Sequence, residues 1–197
     1  MHNYNLPFPE KIAALLPHYT PNGDATLLYT CDGQELIVPR RLQAVLKNIA
    51  RNLATDLGAL KQLSRRHTKK VIFQPLPITP RLLLFPVKSR TARISGDGCT
   101  GYINYYAVQN VKTCNGKSTN ILLTCNKTVP VLWSTETVQR HLQFCKLVAN
   151  SHNTAIVAEE SADYNTELMH VARKLVEAMH ALLNLRKKKV ESGEFRV

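Results

Sequence analysis

Three glycines at the spacing G-x-G-x-x-G, Gly96, Gly98 and Gly101, follow an apolar run and suggest a pyrophosphate cradle, in which a glycine loop opens onto a helix N-terminus. The segment after Gly101, YINYYAV, is aromatic and β-branched, so a strand follows and the helix that the cradle requires is missing. The glycines are expected instead to connect two strands. His141 and Cys145, four residues apart on an expected helix, supply two metal ligands but no second pair. Cys99 as a nucleophile would need a base such as His67, and nothing in the sequence brings the two together. Paired carboxylates and triads are equally hard to find. No catalytic residue, metal or cofactor is expected, and the chain does not read as an enzyme.

Cations offer a different chemistry. Between Asp56 and Asp97 there is no Asp or Glu, while Lys61, Arg65, Arg66, Lys69, Lys70, Arg81, Lys88, Arg90 and Arg93 all lie there. Two groups stand out, RRHTKK (Arg65 to Lys70) and KSRTAR (Lys88 to Arg93), each in an expected loop from which side chains reach outward. An ordinary solvated face mixes charge signs; an unmixed cluster suits phosphates. Lys61, Arg65, Arg66, Lys69, Lys70, Lys88, Arg90 and Arg93 are therefore the expected DNA-binding residues. A further run, Arg186 to Lys189, ends the last expected helix, where positive charge also complements the helix dipole. Tyr102, Tyr105 and Tyr106 could stack on bases, but packing is the ordinary role of tyrosines in such a strand.

The elements that must carry these residues can be read in outline. TLLYT and ELIVP flank Asp32-Gly33, a dipeptide suited to a tight hairpin. Leu42, Val45, Leu46, Ile49, Leu53, Leu57 and Leu60 share one helical face, which predicts a single helix from about Arg41 to Leu63 and leaves no room for a helix-turn-helix. KKVIFQ is read as a strand and the proline-punctuated stretch through Pro75, Pro77 and Pro80 as a loop. LLLFPV has the continuous apolar character of a strand covered on both faces, with Pro86 marking where it leaves the ladder. YINYYAVQNV is one strand, and Asn115-Gly116 turns it into STNILLTC. Ser134 caps a helix whose Val138, Leu142, Cys145 and Ala149 share a face, ending near Asn150. A long helix from about Asp163 to Lys189 carries Leu168, Ala172, Leu175, Met179 and Leu182 on one side, for packing on its own domain or for self-association.

Together these predict an α+β fold: a mainly antiparallel sheet of about six strands, open or barrel-like, flanked by three main helices. The expected division is a DNA-binding domain over 1–150 and an amphipathic helix with a basic end over 151–197. At 197 residues the chain is long enough for a substantial core. Its 26 Lys and Arg against 14 Asp and Glu leave a net charge of +12, which attracts polyanions. The five cysteines form no C-x-x-C, no signal peptide is evident and no apolar run approaches a membrane span, so a cytoplasmic, nucleoid-associated protein away from membranes is expected.

The segment LFPVKSRTARISGDGCTGYI, with Leu84-Phe85-Pro86, Ser89, Cys99 and the Tyr102-Ile103 pair, followed by Asn115-Gly116-Lys117 and the Ser134 helix, resembles the ComK family of bacterial competence transcription factors. The likeness rests on order and spacing across roughly residues 20 to 150. It implies an activator of DNA-uptake genes that binds paired A/T-rich boxes in double-stranded DNA, largely through the minor groove, as a homo-oligomer. The family's adaptor-mediated proteolysis is also implied, although the tail after Asn150 lacks the apolar-aromatic, proline-containing segment associated with it. Loop arginines suit the negative potential of a narrow A/T minor groove, while lysines hold phosphates and set register. An RNA-binding or ribosome-associated module would use the same charge, and is the alternative reading.

Overall fold

The computed structural model describes residues 6–114 and 117–151, together with Met169, Val171, Arg173, Lys174, Leu175 and Met179. Six strands, β1 (Ile12–Thr20), β2 (Gly23–Thr30), β3 (Glu35–Val38), β4 (Leu76–Thr79), β5 (Leu82–Lys88) and β6 (Thr100–Asn104), form an antiparallel sheet in the order β3-β2-β1-β6-β5-β4. A second antiparallel sheet has the order β7-β8-β9, from Val108–Cys114, Ser118–Leu123 and Thr128–Val131. The α-helices over residues 6–151 are α1 (Leu42–Asn52), α2 (Leu57–Thr68) and α3 (135–151). The α+β class with a mainly antiparallel sheet of six strands is therefore present. The sheet stays open, not barrel-like, because β3 and β4 end at opposite edges without pairing.

Alternation along β5 sets the layers. Leu82 and Leu84 face α1, where they meet Leu42, Val45, Leu46 and Ile49; Leu83, Phe85 and Val87 face the other way, onto Ile121, Leu123, Val129 and Val131 of the small sheet and Val138, Cys145 and Val148 of α3. The large sheet is thus covered by helix on one face and by sheet plus helix on the other. That explains the unbroken apolar run of β5. Pro86 does not end the ladder: Pro86 pairs with Tyr102, and pairing continues through Val87 with Gly101 to Lys88 with Thr100. β4 stops opposite Leu84, so Pro86 lies beyond its reach, where a missing N–H is tolerated.

Several elements depart from expectation. The expected helix over 41–63 is two helices, broken after Leu53 by Ala54 in the left-handed region (φ 50°) and restarted by Asp56, whose carboxylate accepts from the N–H groups of Gly58 and Ala59 at 2.8 and 3.2 Å. The chain here makes helix, four-residue turn, helix, where no such arrangement was expected. KKVIFQ is an exposed bend instead of a strand, and LPIT within the proline-rich stretch is the edge strand β4, a position that accommodates Pro77. YINYYAVQNV is divided: β6 belongs to the large sheet and β7 to the small one, with a 3-10 turn at Tyr105–Ala107 between them. Asn104 makes this switch. Its amide donates to the carbonyls of Ile12 and Arg81 at 3.0 and 3.1 Å, and its side-chain oxygen accepts from the Tyr106 N–H.

The Asp32-Gly33 hairpin is present, joining β2 to β3 with Gly33 at φ 84°. Asn115 and Gly116 lie outside the described residues, but β7 and β8 on either side pair in hairpin register, Cys114 opposite Ser118. Ser134 opens α3 as expected, its hydroxyl accepting from the Thr137 N–H at 3.4 Å. The chain divides into two compact units, 1–152 and 153–197. In the second, the described positions are helical, and Leu175 and Met179 are each 61% exposed; Leu168, Ala172, Leu182 and the basic run Arg186 to Lys189 lie outside the described residues. Among the described residues no helix is long and apolar enough to cross a membrane.

Candidate nucleic-acid interface

α2 anchors one side on the core and exposes the other. Leu57 and Leu60 pack on the α1 cluster and Ser64 and Thr68 are buried, which turns Lys61, Arg65 and Arg66 outward. The helix ends at Lys69, whose backbone takes the left-handed conformation (φ 54°) and donates its N–H to the Arg65 carbonyl at 2.9 Å. Lys70 follows, its N–H reaching the Thr68 hydroxyl at 3.3 Å. All five cations are exposed, and none belongs to an ion pair among the described residues. With no carboxylate in the segment to neutralise them, they form one unmixed basic face on a rigid helix end.

Behind this face lies an aromatic cluster. Phe73, another left-handed residue (φ 54°), meets the ring of Trp133 edge-on at 5.1 Å, and Trp133 stacks on His141 at 4.8 Å. Phe144 closes the group, edge-on to His141 at 6.0 Å, with the Lys70 ammonium 5.8 Å from its centroid. Burial, followed by the neighbouring charges of Lys70 and Arg140, holds the His141 imidazole below its ordinary pKa, and its buried Nδ1 has no hydrogen-bond partner among the described residues. Lys88 joins this side of the molecule through its backbone, its carbonyl accepting from Leu132 N–H at 2.7 Å, one residue before Trp133. The exposed Lys88 side chain likewise has no ion pair among the described residues.

Arg90 and Arg93 are placed differently. The loop over 89–99 is organised by Asp97, which accepts from the Tyr19 hydroxyl and from the N–H groups of Arg93 and Ile94 at 2.9 and 3.2 Å. These bonds, the Tyr19 hydroxyl first, keep the Asp97 carboxyl below its usual range, and the same contact pushes the Tyr19 phenol up. Arg90 lies 3.7 Å from the Tyr19 ring centroid, donates Nε to the Gly98 carbonyl at 2.9 Å and Nη2 to Asp24 at 2.8 Å, and its side chain is only 12% exposed. It is a structural arginine, tied into the fold and not free to enter a groove. Arg93 is exposed but lies over the same ring at 4.0 Å.

Of the eight expected contact residues, then, Lys61, Arg65, Arg66, Lys69 and Lys70 come together, Lys88 is joined to their side, Arg93 stands apart on its own loop and Arg90 is internal. The glycines resolve similarly. Gly96 has φ 89°, which suits the turn of the loop, and Gly101 sits in β6 where a Cβ would lie 2.7 Å from the Leu16 side chain and 3.2 Å from the Leu15 carbonyl. Neither cradles a phosphate before a helix.

The rival chemistries find other partners. Cys145 is fully buried and its thiol is pushed up by burial, so it serves the core. His67 Nδ1 lies 3.1 Å from the Ser151 hydroxyl, and the Cys99 thiol contacts the Asp97 carbonyl at 3.6 Å. Among the described residues no group of three metal-ligating side chains occurs. Tyr102 is buried, while Tyr106 is exposed and edge-on to Tyr105 at 5.3 Å. Sequence reasoning missed Tyr19, Asp24, Phe73 and Trp133, whose contacts span long stretches of chain and leave no local pattern. No family model, curated protein or solved structure matches this chain.

Proposed function

We propose that the chain is a DNA-binding transcriptional activator of the competence type, which binds A/T-rich boxes in double-stranded DNA. The observation that carries this is the unmixed, unpaired face of Lys61, Arg65, Arg66, Lys69 and Lys70 at the end of α2, which fits a run of phosphates. The activator role, the preference for the minor groove and assembly as a homo-oligomer rest on the resemblance to the ComK family. Arg90 is assigned to the scaffold, so groove contact falls to the α2 end, to Arg93 and to Lys88.

The reading is tested by competition. A labelled A/T-box duplex is bound by the full chain and challenged with the same duplex unlabelled, with a G/C-rich duplex of the same length and with structured RNA. Displacement by the A/T duplex alone supports the proposal. Equal displacement by the G/C duplex overturns the A/T preference, and preferential displacement by RNA favours an RNA-binding module.

A further inference from the structure

The loop after α2 presents two aliphatic side chains to solvent at its tip: Val71 is 65% and Ile72 68% exposed. Leaving them there forgoes about 1.5–3 kcal/mol of burial for each side chain. The loop is short and braced. It is held at one end by the left-handed cap at Lys69, at the other by the buried Pro75 and Leu76 where β4 begins, and from behind by Phe73 against Trp133. Gln74 ties the two ends together, its amide donating to the Lys70 carbonyl at 2.6 Å.

The charge that leads up to this tip along α2 is linear. Lys69 and Lys70 directly precede it, Arg65 and Arg66 occupy the last turn of α2, and Lys61 lies one turn further, so the cations run up the helix for about 10 Å. An anionic lipid surface would call for cations spread around an apolar tip. A row leading away from it fits a linear polyanion that also offers apolar surface to insert into. Duplex DNA is both: its phosphates line the grooves, and its base stacks admit aliphatic wedges.

We propose that Val71 and Ile72 form a wedge that enters a base step of bound duplex DNA from the minor groove and bends it, while Lys69, Lys70, Arg65 and Arg66 hold the flanking phosphates. This inference rests on the duplex-DNA reading above. Pyrimidine–purine steps unstack most easily, so within an A/T-rich box the wedge enters at TA. Binding then selects sequence by deformability at a step that no polar side chain reads.

The test uses the full chain and an A/T-box duplex carrying 2-aminopurine beside a central TA step, with donor and acceptor dyes at its ends. Wild-type protein is expected to raise the 2-aminopurine emission and shorten the end-to-end distance, a bend of roughly 20–90°. The V71S/I72S variant should lose both signals at saturation and bind about tenfold more weakly, with an unchanged thermal melt and salt slope. K69A/K70A should bind more weakly and still bend the duplex once saturated. Full emission and bending by V71S/I72S overturns the wedge and leaves DNA binding intact, whereas failure of the wild type to bind any duplex overturns the underlying functional reading. Vesicles of phosphatidylcholine and phosphatidylglycerol are the contrasting probe. If they retain the wild type and release V71S/I72S while the duplex shows no distortion, the tip belongs to a lipid surface and the proposal fails.

Discussion

Arg90 and Arg66 are the same residue type in the same acid-free segment, yet their surroundings give them opposite work. Arg90 shares an ion pair with Asp24, whose side chain is 15% exposed, so deleting Arg90 leaves a nearly buried carboxylate with only the 81% exposed Arg41 side chain, 3.8 Å away, to balance it. Arg90→Ala is expected to cost about 3 kcal/mol of unfolding free energy, read from denaturant midpoints. Arg90→Lys should recover only part of this, since an ammonium cannot make the Asp24 and Gly98 bonds while lying flat on Tyr19. Arg66→Ala should leave the midpoint within about 0.5 kcal/mol and lower DNA affinity instead. No local signal separates the two arginines, because Asp24 lies 66 positions from Arg90. His141 provides a second test. Its folded pKa lies below the ordinary 6.5, so the unfolded chain takes up a proton that the buried ring resists. Its contribution to stability is complete above about pH 6.5 and is lost as pH falls from there through the folded value. Melting temperatures between pH 7.5 and 5 should show this decline, and His141→Phe should flatten it.

Among the elements, α2 links the fold to the proposed contact surface, and its start is set by one side chain. Asp56→Ala removes the acceptor for two helix N–H groups and is expected to cost about 1 kcal/mol. Thermal denaturation would measure that loss, and a matching fall in DNA affinity would tie the helix start to the basic face, which begins at Lys61 about one and a half turns further on. β5 as a strand covered on both faces, the Asp32-Gly33 hairpin and the Ser134 cap were legible because each rests on a local rule: an apolar run, a positive-φ turn, a side-chain cap. β1 was not legible. Ile12 to Leu16 are buried on both faces, so IAALLPHYT shows no alternation, and its Ala-Leu content argues for helix. KKVIFQ misled in the opposite direction, its β-branched residues suiting a strand while the fold displays them on a loop tip. The break at Ala54 was hidden because the apolar spacing of α1 runs on in phase through Leu57 and Leu60.

Across the whole molecule, the net charge of +12 is unevenly used. Among the described residues, Lys11, Arg41, Arg90 and Lys127 are matched with carboxylates, while the cations at the α2 end are left open. If those five neutralise five phosphates, the logarithm of the binding constant should fall against the logarithm of salt with a slope of about −4.5. Removing Lys61 and Arg65 together should make the slope shallower by about 1.8, whereas Arg90→Lys should not change it. The candidate residues were legible as a group from the missing acids, but their division into surface and scaffold was not, since it depends on which loop folds back onto Tyr19. β5 offers an independent gauge of that division. Lying beneath both covers, its amides can exchange with solvent deuterium only when the fold opens globally, whereas those of the exposed loop over 70–74 need only local opening. Slowed exchange in β5 on adding a ligand would therefore measure the coupling of binding to global stability, and slowing confined to the α2 end would mark the footprint itself.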